Sequence, residues 1–233
     1  MDDARLVPDA ELLAEVPFFQ LLDDQERKFL AGELDVVRYR AGEVVFNYGD
    51  PGDSMFVIAS GKVKVVLYGQ TGREIILSML KGGDFFGEMS LFDRQPRSAN
   101  VVAVTETQLL ALDRDAFHKH LLANPSTALA ILAEMSRRLR HADEVIGNLA
   151  LLDVYARVAR VLRELALKQG EQVEGGILIR ERPTQQEIAG LVGTSRETVS
   201  RALSEFTKRG LLEVEGKQVL VRWSFLRELH EAA

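Results

Sequence analysis

At Asn124-Pro125-Ser126 the hydrophobic period of this 233-residue chain changes, and few folds accommodate what lies on both sides of the change. Over residues 35–113, short β-branched runs alternate with glycine. They are Leu34-Asp-Val-Val-Arg-Tyr, Glu43-Val-Val-Phe, Met55-Phe-Val-Ile, Lys62-Val-Lys-Val-Val-Leu, Glu74-Ile-Ile-Leu-Ser-Met and Asn100-Val-Val-Ala-Val. Turn formers separate them at Gly49-Asp-Pro-Gly-Asp, Ser60-Gly61, Gly69-Gln-Thr-Gly72 and Lys81-Gly-Gly-Asp. Many short strands with such punctuation predict a β-barrel or sandwich. One or two short helices are expected ahead of it, over residues 9–34. Beyond Ser126 the period becomes helical: Ala128, Leu132, Met135, Leu139, Ala142, Ile146 and Leu149 recur at alternating spacings of four and three. That heptad seam is the pattern of a two-stranded coiled coil. Asn124 or Ser126 can cap this helix, and Pro125 suits its first turn. Leu129, Ile131 and Val145 lie beside the seam and are expected to pack on the chain's own sheet, which frees the seam for a second copy. Asp153 then predicts the cap of a further helix, Val154 to Lys168, with Val158, Leu162 and Leu165 at helical spacing. No low-complexity linker intervenes, so the joint near Asp153 is expected to be a tight hinge.

Hydrophobic residues make up 46% of the chain and charged residues 27%, ordinary usage for a soluble globular protein. No apolar run approaches the ~18 residues a membrane helix needs. The start, Met-Asp-Asp-Ala-Arg, lacks the basic and apolar segments of a signal peptide, so a cytoplasmic location is expected. Cysteine is absent, which removes disulfides, thiolate metal sites and cysteine-held iron–sulfur clusters. The net charge of −6 is unevenly spread. Residues 1–153 carry 16 Lys and Arg against 24 Asp and Glu; residues 154–233 carry 13 against 11. An acidic front and a mildly basic rear suit a sensor joined to a DNA reader.

The stretch from Phe86 to Val101 gathers one carboxylate, one guanidinium and one hydroxyl around a helix expected to begin near Glu88. Gly87 allows the backbone to approach a ligand closely. The helix start offers unpaired N–H groups to a phosphate. Arg97 can fork onto two phosphate oxygens, with Ser98 as an added donor. Glu88 is an acceptor, unsuited to phosphate but suited to a sugar hydroxyl. Gly87, Glu88, Met89, Arg97 and Ser98 are therefore candidates for binding a phosphate and a ribose held close together.

Toward the other end, Thr184-Gln-Gln-Glu187 and Thr194-Ser-Arg-Glu197 both have the form of a capping box opening a helix. The first helix carries Ile188, Ala189, Leu191 and Val192 and stops at Gly193. The second turns Val199, Leu203 and Phe206 inward and stops near Gly210. Two short helices joined by a glycine turn predict a helix-turn-helix. Leu211-Leu-Glu-Val-Glu, Gly216-Lys217 and Gln218-Val-Leu-Val-Arg then predict a two-stranded wing. Arg196, Glu197, Ser200 and Arg201 face away from the buried stripe, in the turns of a recognition helix that reach base edges. Arginine pairs with guanine O6 and N7 and glutamate accepts from cytosine N4, so this mixture favours G·C readout. Glu197 can also serve as the capping carboxylate.

The Gly87–Ala99 stretch closely resembles the phosphate-binding cassette of cyclic-nucleotide-binding domains. Cassette, heptad helix and winged helix-turn-helix, in that order, resemble the cyclic-AMP receptor protein family of bacterial transcription regulators from about Phe18 onward. The resemblance is most specific at Gly87–Ala99, at Gly147-Asn-Leu-Ala-Leu-Leu-Asp153 and at Gln186–Arg201. It implies an α+β chain with three parts: an N-terminal double-stranded β-helix (a jelly-roll-like β-roll) over 1–123, a dimerisation helix over 124–153, and a winged helix-turn-helix over 154–233. It implies a homodimer, a cyclic nucleotide held by Gly87, Glu88, Met89, Arg97 and Ser98, and an onward partner in RNA polymerase. Palindromic TGTGA-like half-sites would be read by Arg196, Glu197 and Arg201, with Thr184, Gln185, Thr194, Ser195, Ser200 and Lys217 completing the DNA surface. Ligand binding would lengthen or re-register the dimer helix around Asp153 and set the reading helices in successive major grooves.

Two positions depart from the family. Ala142 and Asp143 stand where cyclic-AMP binders carry a Thr-Ser pair that contacts the adenine. Alanine cannot hydrogen-bond and an ionised aspartate only accepts. Cyclic AMP is the expected effector, with cyclic GMP or a cyclic dinucleotide, or no ligand at all, as alternatives. Gln185 replaces an arginine that commonly supports backbone contact. Haem would need an axial ligand among His118, His120, His141 and His230; neither haem, metal nor an iron–sulfur cluster is expected. Nor is an enzyme, since the cassette supplies no base, nucleophile or metal cluster.

Overall fold

The computed structural model describes residue 13, residues 24–70 and residues 72–231. Two compact units divide them, one drawn from Met1–Leu67 and Leu77–Arg140, the other from Tyr68–Ile76 and His141–Ala233. The helices expected over residues 9–34 fall largely outside the described residues, as does Phe18; within them, α1 runs Asp24–Glu33.

In the first unit, β1 (Leu34–Tyr39), β3 (Ser54–Ser60), β6 (Phe85–Phe86) and β8 (Thr107–Asp113) form one antiparallel sheet in the order β1-β8-β3-β6. A second sheet takes β2 (Val44–Phe46), β4 (Lys62–Tyr68), β5 (Glu74–Lys81) and β7 (Asn100–Ala103) in the order β2-β7-β4-β5. The chain passes back and forth between the sheets, which makes a roll. β3 and β8 are covered on both faces. Met55 and Val57 join a cluster with Leu110, Leu112, Leu91 and Phe117, while Phe56 and Ile58 meet Leu109, Val101 and Phe86 on the other side. A strand covered on both faces reads as an unbroken apolar run. The leucine-rich run Thr107-Gln-Leu-Leu-Ala-Leu is thus a strand without alternation, and sequence patterning does not pick it out. Also unforeseen is α3 (Arg114–Ala123), capped by the Asp113 carboxylate, which accepts from the Ala116 amide at 2.8 Å.

Helix α4 runs Pro125–Leu151. Asn124 sits just before it, its side-chain amide 3.2 Å from His120 Nδ1. The inward stripe is only partly the expected one. Ile131 is buried and Met135 half-buried on the first unit's core, whereas Leu129 is 68% exposed. Met135 thus leaves the seam and Leu129 joins the outward face with Leu132, Leu139, Ile146 and Leu149, all at least half exposed. The helix turns the side that fits between α3 and the sheet, so burial follows the roll's shape and not the heptad.

The second unit opens with α5 (Val154–Gln169), whose cap is Asp153 as expected, accepting from Ala156 N at 2.8 Å. β9 (Glu171–Val173) and β10 (Gly176–Ile179) follow; all three residues of β9 are exposed and it gives no apolar signal. Then come α6 (Gln185–Val192), α7 (Arg196–Lys208), β11 (Leu212–Glu215), β12 (Gln218–Arg222) and α8 (Trp223–Glu231). The strands pair as β11-β12-β10-β9. Val158, Leu162, Ile188, Val199, Leu203, Phe206 and Phe225 lie in one core beneath them. Among the described residues no helix is long and apolar enough to cross a membrane.

Candidate functional site

The first unit holds a small cavity of about 90 Å³ whose walls come from the cassette, β2, β4, β7 and α4. Gly87, Glu88, Met89, Arg97 and Ser98 all line it. Gly87 has φ +81, and a Cβ there would lie 2.8 Å from an Arg97 guanidinium nitrogen, so both conformation and space ask for glycine. The helix expected near Glu88 is α2 (Met89–Asp93), only five residues long. Glu88 precedes it without capping it, and Arg94 at φ +58 ends it.

Arg97 is 5% exposed. Its guanidinium donates to Gly87 O and to Ser54 O, each at 2.7 Å, and lies 4.3 Å above the Phe46 ring. Phe46, Phe56 and Phe86 form an aromatic wall with centroids 5.3–6.0 Å apart. Burial lowers the Arg97 pKa, while Asp53 and Glu88 oppose that shift. Glu88 is 3% exposed, and burial raises its pKa despite the nearby Arg138 guanidinium. Two buried polar atoms in this cavity, Arg97 Nε and Glu88 Oε2, have no hydrogen-bond partner. A donor and an acceptor left unmatched in one cavity cost about 1–3 kcal/mol each, which a polar ligand can recover. Ser98 Oγ lies 3.6 Å from Met89 Sδ, a weak partner for a hydroxyl.

Arg138 on α4 is absent from the sequence candidates. It donates to Phe85 O at 2.6 Å and Glu134 at 2.9 Å, and reaches Glu88 Oε1 at 3.4 Å. Its signal is positional: Thr127, Ile131 and Met135 mark the inward stripe of α4, and Arg138 falls on that stripe. A charge there requires a buried partner. Ala142 and Asp143 do not line the cavity; both are exposed. Of the four histidines, His118 Nε2 is 3.1 Å from Leu91 O and buried His120 is 3.2 Å from the Thr127 hydroxyl. His141 is exposed beside Glu144, and the His230 side chain lies outside the described residues.

In the second unit the Thr184–Glu187 capping box is complete. Helix α6 ends at Gly193, φ +70. The second expected box does not form. Ser195, not Thr194, caps α7, accepting from Thr198 N at 3.2 Å, so Glu197 sits one position too early to close it. Ser195 prevails because it holds the extended conformation a cap needs, φ −89 and ψ 155. Glu197 is exposed, and its own amide and the Ser195 hydroxyl keep its pKa low. Arg196 and Arg201 are exposed beside it, and Ser200 is half-buried. Arg182, another residue missing from the sequence candidates, ties the wing turn to the start of α6. Its amide donates to Lys217 O at 3.0 Å and its guanidinium to Gly216 O at 3.2 Å and Pro183 O at 3.1 Å. Lys217, Thr184 and Gln185 are thereby held near one another.

Residues 36–124 match the cyclic nucleotide-binding domain, and residues 156–229 match the Crp-like helix-turn-helix domain. Over 211 residues the chain is 38% identical to the CRP-like cAMP-activated global transcriptional regulator of Mycobacterium tuberculosis, covering 91% of this chain and 94% of that one. The chain belongs to the cyclic-AMP receptor protein (CRP) family of transcription regulators. It is 34% identical over 199 residues to the cAMP-activated global transcriptional regulator CRP of Escherichia coli, covering 85% and 94% of the two chains. Among solved structures it resembles the c-di-GMP responsive regulator CLP of Xanthomonas campestris, with a TM-score of 0.76, 28% identity and coverage of 86% and 99%. The fold expected from the sequence, a β-roll, a long helix and a winged helix-turn-helix, is that of the CRP family. A cyclic-nucleotide-responsive, DNA-binding transcription regulator is what these two domains make.

Proposed function

We propose that cyclic AMP is the effector and that it binds in the cavity of the first unit. The observation that carries this reading is the pair of orphaned buried atoms, Glu88 Oε2 and Arg97 Nε. A ribose hydroxyl donating to Glu88, beside a cyclic phosphodiester accepting from Arg97 and Ser98, satisfies both at once. Helix α2 is too short to contribute much of a dipole, so the guanidinium supplies most of the attraction. Gly87 and Met89 shape the walls. The outward leucines of α4 support a homodimer through that helix. Arg196, Glu197 and Arg201 read TGTGA-like half-sites, with Thr184, Gln185, Thr194, Ser195, Ser200 and Lys217 toward the sugar-phosphate backbone. The bound dimer works in the cytoplasm and presents itself to RNA polymerase. The exposed Asp143 carboxylate beside Ala142 favours a second reading, in which cyclic GMP or a cyclic dinucleotide replaces cyclic AMP.

The test uses the full chain and a labelled duplex carrying a palindrome of TGTGA half-sites. Anisotropy is read without nucleotide and with cyclic AMP, cyclic GMP or cyclic di-GMP. Cyclic AMP should tighten binding by about tenfold or more, equivalent to about 1.4 kcal/mol of coupling. Equal DNA affinity in all four conditions, together with no heat of nucleotide binding in calorimetry, would sink the reading.

A further inference from the structure

On the second unit, α5 and α8 enclose a surface groove of about 500 Å³ lined by Arg163, Leu167, Trp223, Leu226 and Arg227. It is separate from the DNA-reading residues of α7 and the wing turn. Helix α8 is firmly seated: Phe225 is 2% exposed and packs edge-on against Phe206 at 5.4 Å, and Leu226 is half-buried on the same core. The groove is therefore preformed on two fixed helices. Its floor is nonetheless left open, with Trp223 41% and Leu167 58% exposed, although a large aromatic so placed gains from being covered. The two charged residues that line it are both arginines. Arg163 and Arg227 make no ion pair or hydrogen bond among the described residues. The nearby carboxylates are engaged elsewhere, Glu164 by Lys168 and Glu228 by Arg209.

We propose that this groove docks an acidic protein segment carrying a large apolar side chain. The apolar anchor covers Trp223, Leu167 and Leu226, while flanking carboxylates pair with Arg163 and Arg227. Two guanidiniums on either side of an indole suit carboxylates spaced around one buried side chain, since arginine holds carboxylates in a fork and aromatic anchors dominate such contacts. The occupant is thus a partner protein with an acidic, amphipathic segment, held at a face that leaves the reading helix free.

Trp223 is the single tryptophan of the chain, so its fluorescence reports on the groove directly. The full chain is titrated with a synthetic 12-residue peptide of Glu and Asp around a central Phe-Leu pair, and with the same peptide bearing Lys at every acidic position. The acidic peptide should saturate with a shifted Trp223 emission, and the basic one should not. Arg163→Gln with Arg227→Gln should weaken the acidic peptide about fivefold to tenfold, as loss of two exposed pairs allows. Leu167→Asp, at an exposed position, should weaken it further while cyclic AMP binding and the thermal midpoint stay unchanged. Equal binding of both peptides, or parental affinity in the double variant, overturns the proposal. A short random duplex that shifts Trp223 emission in an Arg163- and Arg227-dependent way overturns it too, and assigns the face to nucleic acid.

Discussion

Replacing Arg97 with leucine separates the proposed ligand role of this guanidinium from its role in the fold. In the free protein the substitution removes two hydrogen bonds of 2.7 Å, to Gly87 O and Ser54 O, and a cation stacked 4.3 Å from Phe46. Two carbonyls losing a charged donor cost about 1–3 kcal/mol each, and the ring contact about 0.5–2 kcal/mol. Against this stands the several kcal/mol of desolvation that a 5% exposed guanidinium suffers and leucine does not. The two sides nearly cancel, so stability should change by no more than about 2 kcal/mol, a shift of about 4–8 °C in the thermal midpoint. No such compensation exists for the ligand. A phosphodiester loses two charge-assisted hydrogen bonds of about 1.5–3 kcal/mol each, or at least about 100-fold in affinity. Arg97→Lys keeps the charge but not the fork and should lie between, about tenfold weaker than the parent. Calorimetric titration with cyclic AMP and differential scanning fluorimetry measure the two effects. A folded Arg97→Leu protein that binds cyclic AMP within about threefold of the parent refutes the assignment of the phosphate to this residue.

Burial raises the Glu88 pKa, so the folded protein binds a proton there more readily than the unfolded chain does. Stability from this group is therefore full below the unfolded carboxyl's range and is lost as pH rises through the raised folded value. A ribose hydroxyl needs the ionised form, so cyclic AMP affinity should fall as pH drops through that raised range. Glu88→Gln should flatten both pH profiles in fluorimetry and calorimetry and bind cyclic AMP about tenfold or more weakly; an unaltered pH dependence would contradict this. Glu197→Ala should relax preference at one base pair of each half-site, with a loss of about 1–3 kcal/mol of discrimination, read by selecting sites from random duplexes. An unchanged consensus would reduce Glu197 to a stabiliser of the first turn of α7.

What sequence alone makes legible follows from where each element buries its side chains. Strands with one covered face, such as Gln218–Arg222 with Val219 and Val221 turned inward, alternate and are easily found, while Thr107–Asp113 is covered on both faces and loses its period. The cassette is legible because its chemistry is local: Gly87, Glu88, Arg97 and Ser98 lie within twelve residues. Arg138 is fifty residues from Glu88, and only its place on the inward stripe of α4 betrays it. The aromatic wall is equally hidden, since Phe46, Phe56 and Phe86 come from three strands whose pairing no local pattern declares. The expected faces fail at Met135, assigned to the seam, and at Leu129, assigned to the sheet, because a heptad records which residues are apolar, not which of two apolar faces the roll claims.

Arg138 also shows how a small event in the cavity gains leverage on the outward, leucine-bearing face of α4. It lies on the same helix as Leu132 and Leu139, with Leu139 next in sequence and Leu132 less than two turns away. A helix transmits a shift of one face to the other without loss, because its backbone hydrogen bonds fix both. The contact between Arg138 and Glu88 spans 3.4 Å, longer than the ~2.7–2.9 Å of a good charge-assisted bond, so it has room to tighten. A ligand that engages the orphaned Glu88 Oε2 fixes the carboxylate and holds its other oxygen ionised toward Arg138. Tightening that bond supplies at most the whole net worth of a hydrogen bond between charged groups, about 1.5–3 kcal/mol, and a 100-fold preference for one state requires about 2.7 kcal/mol. The Arg138–Glu88 pair, with Glu88 buried and Arg138 half-buried, can therefore supply much of the coupling of nucleotide to α4. Arg138→Gln should then bind cyclic AMP while losing most of the nucleotide-dependent gain in DNA affinity. A full response in that variant would move the coupling elsewhere.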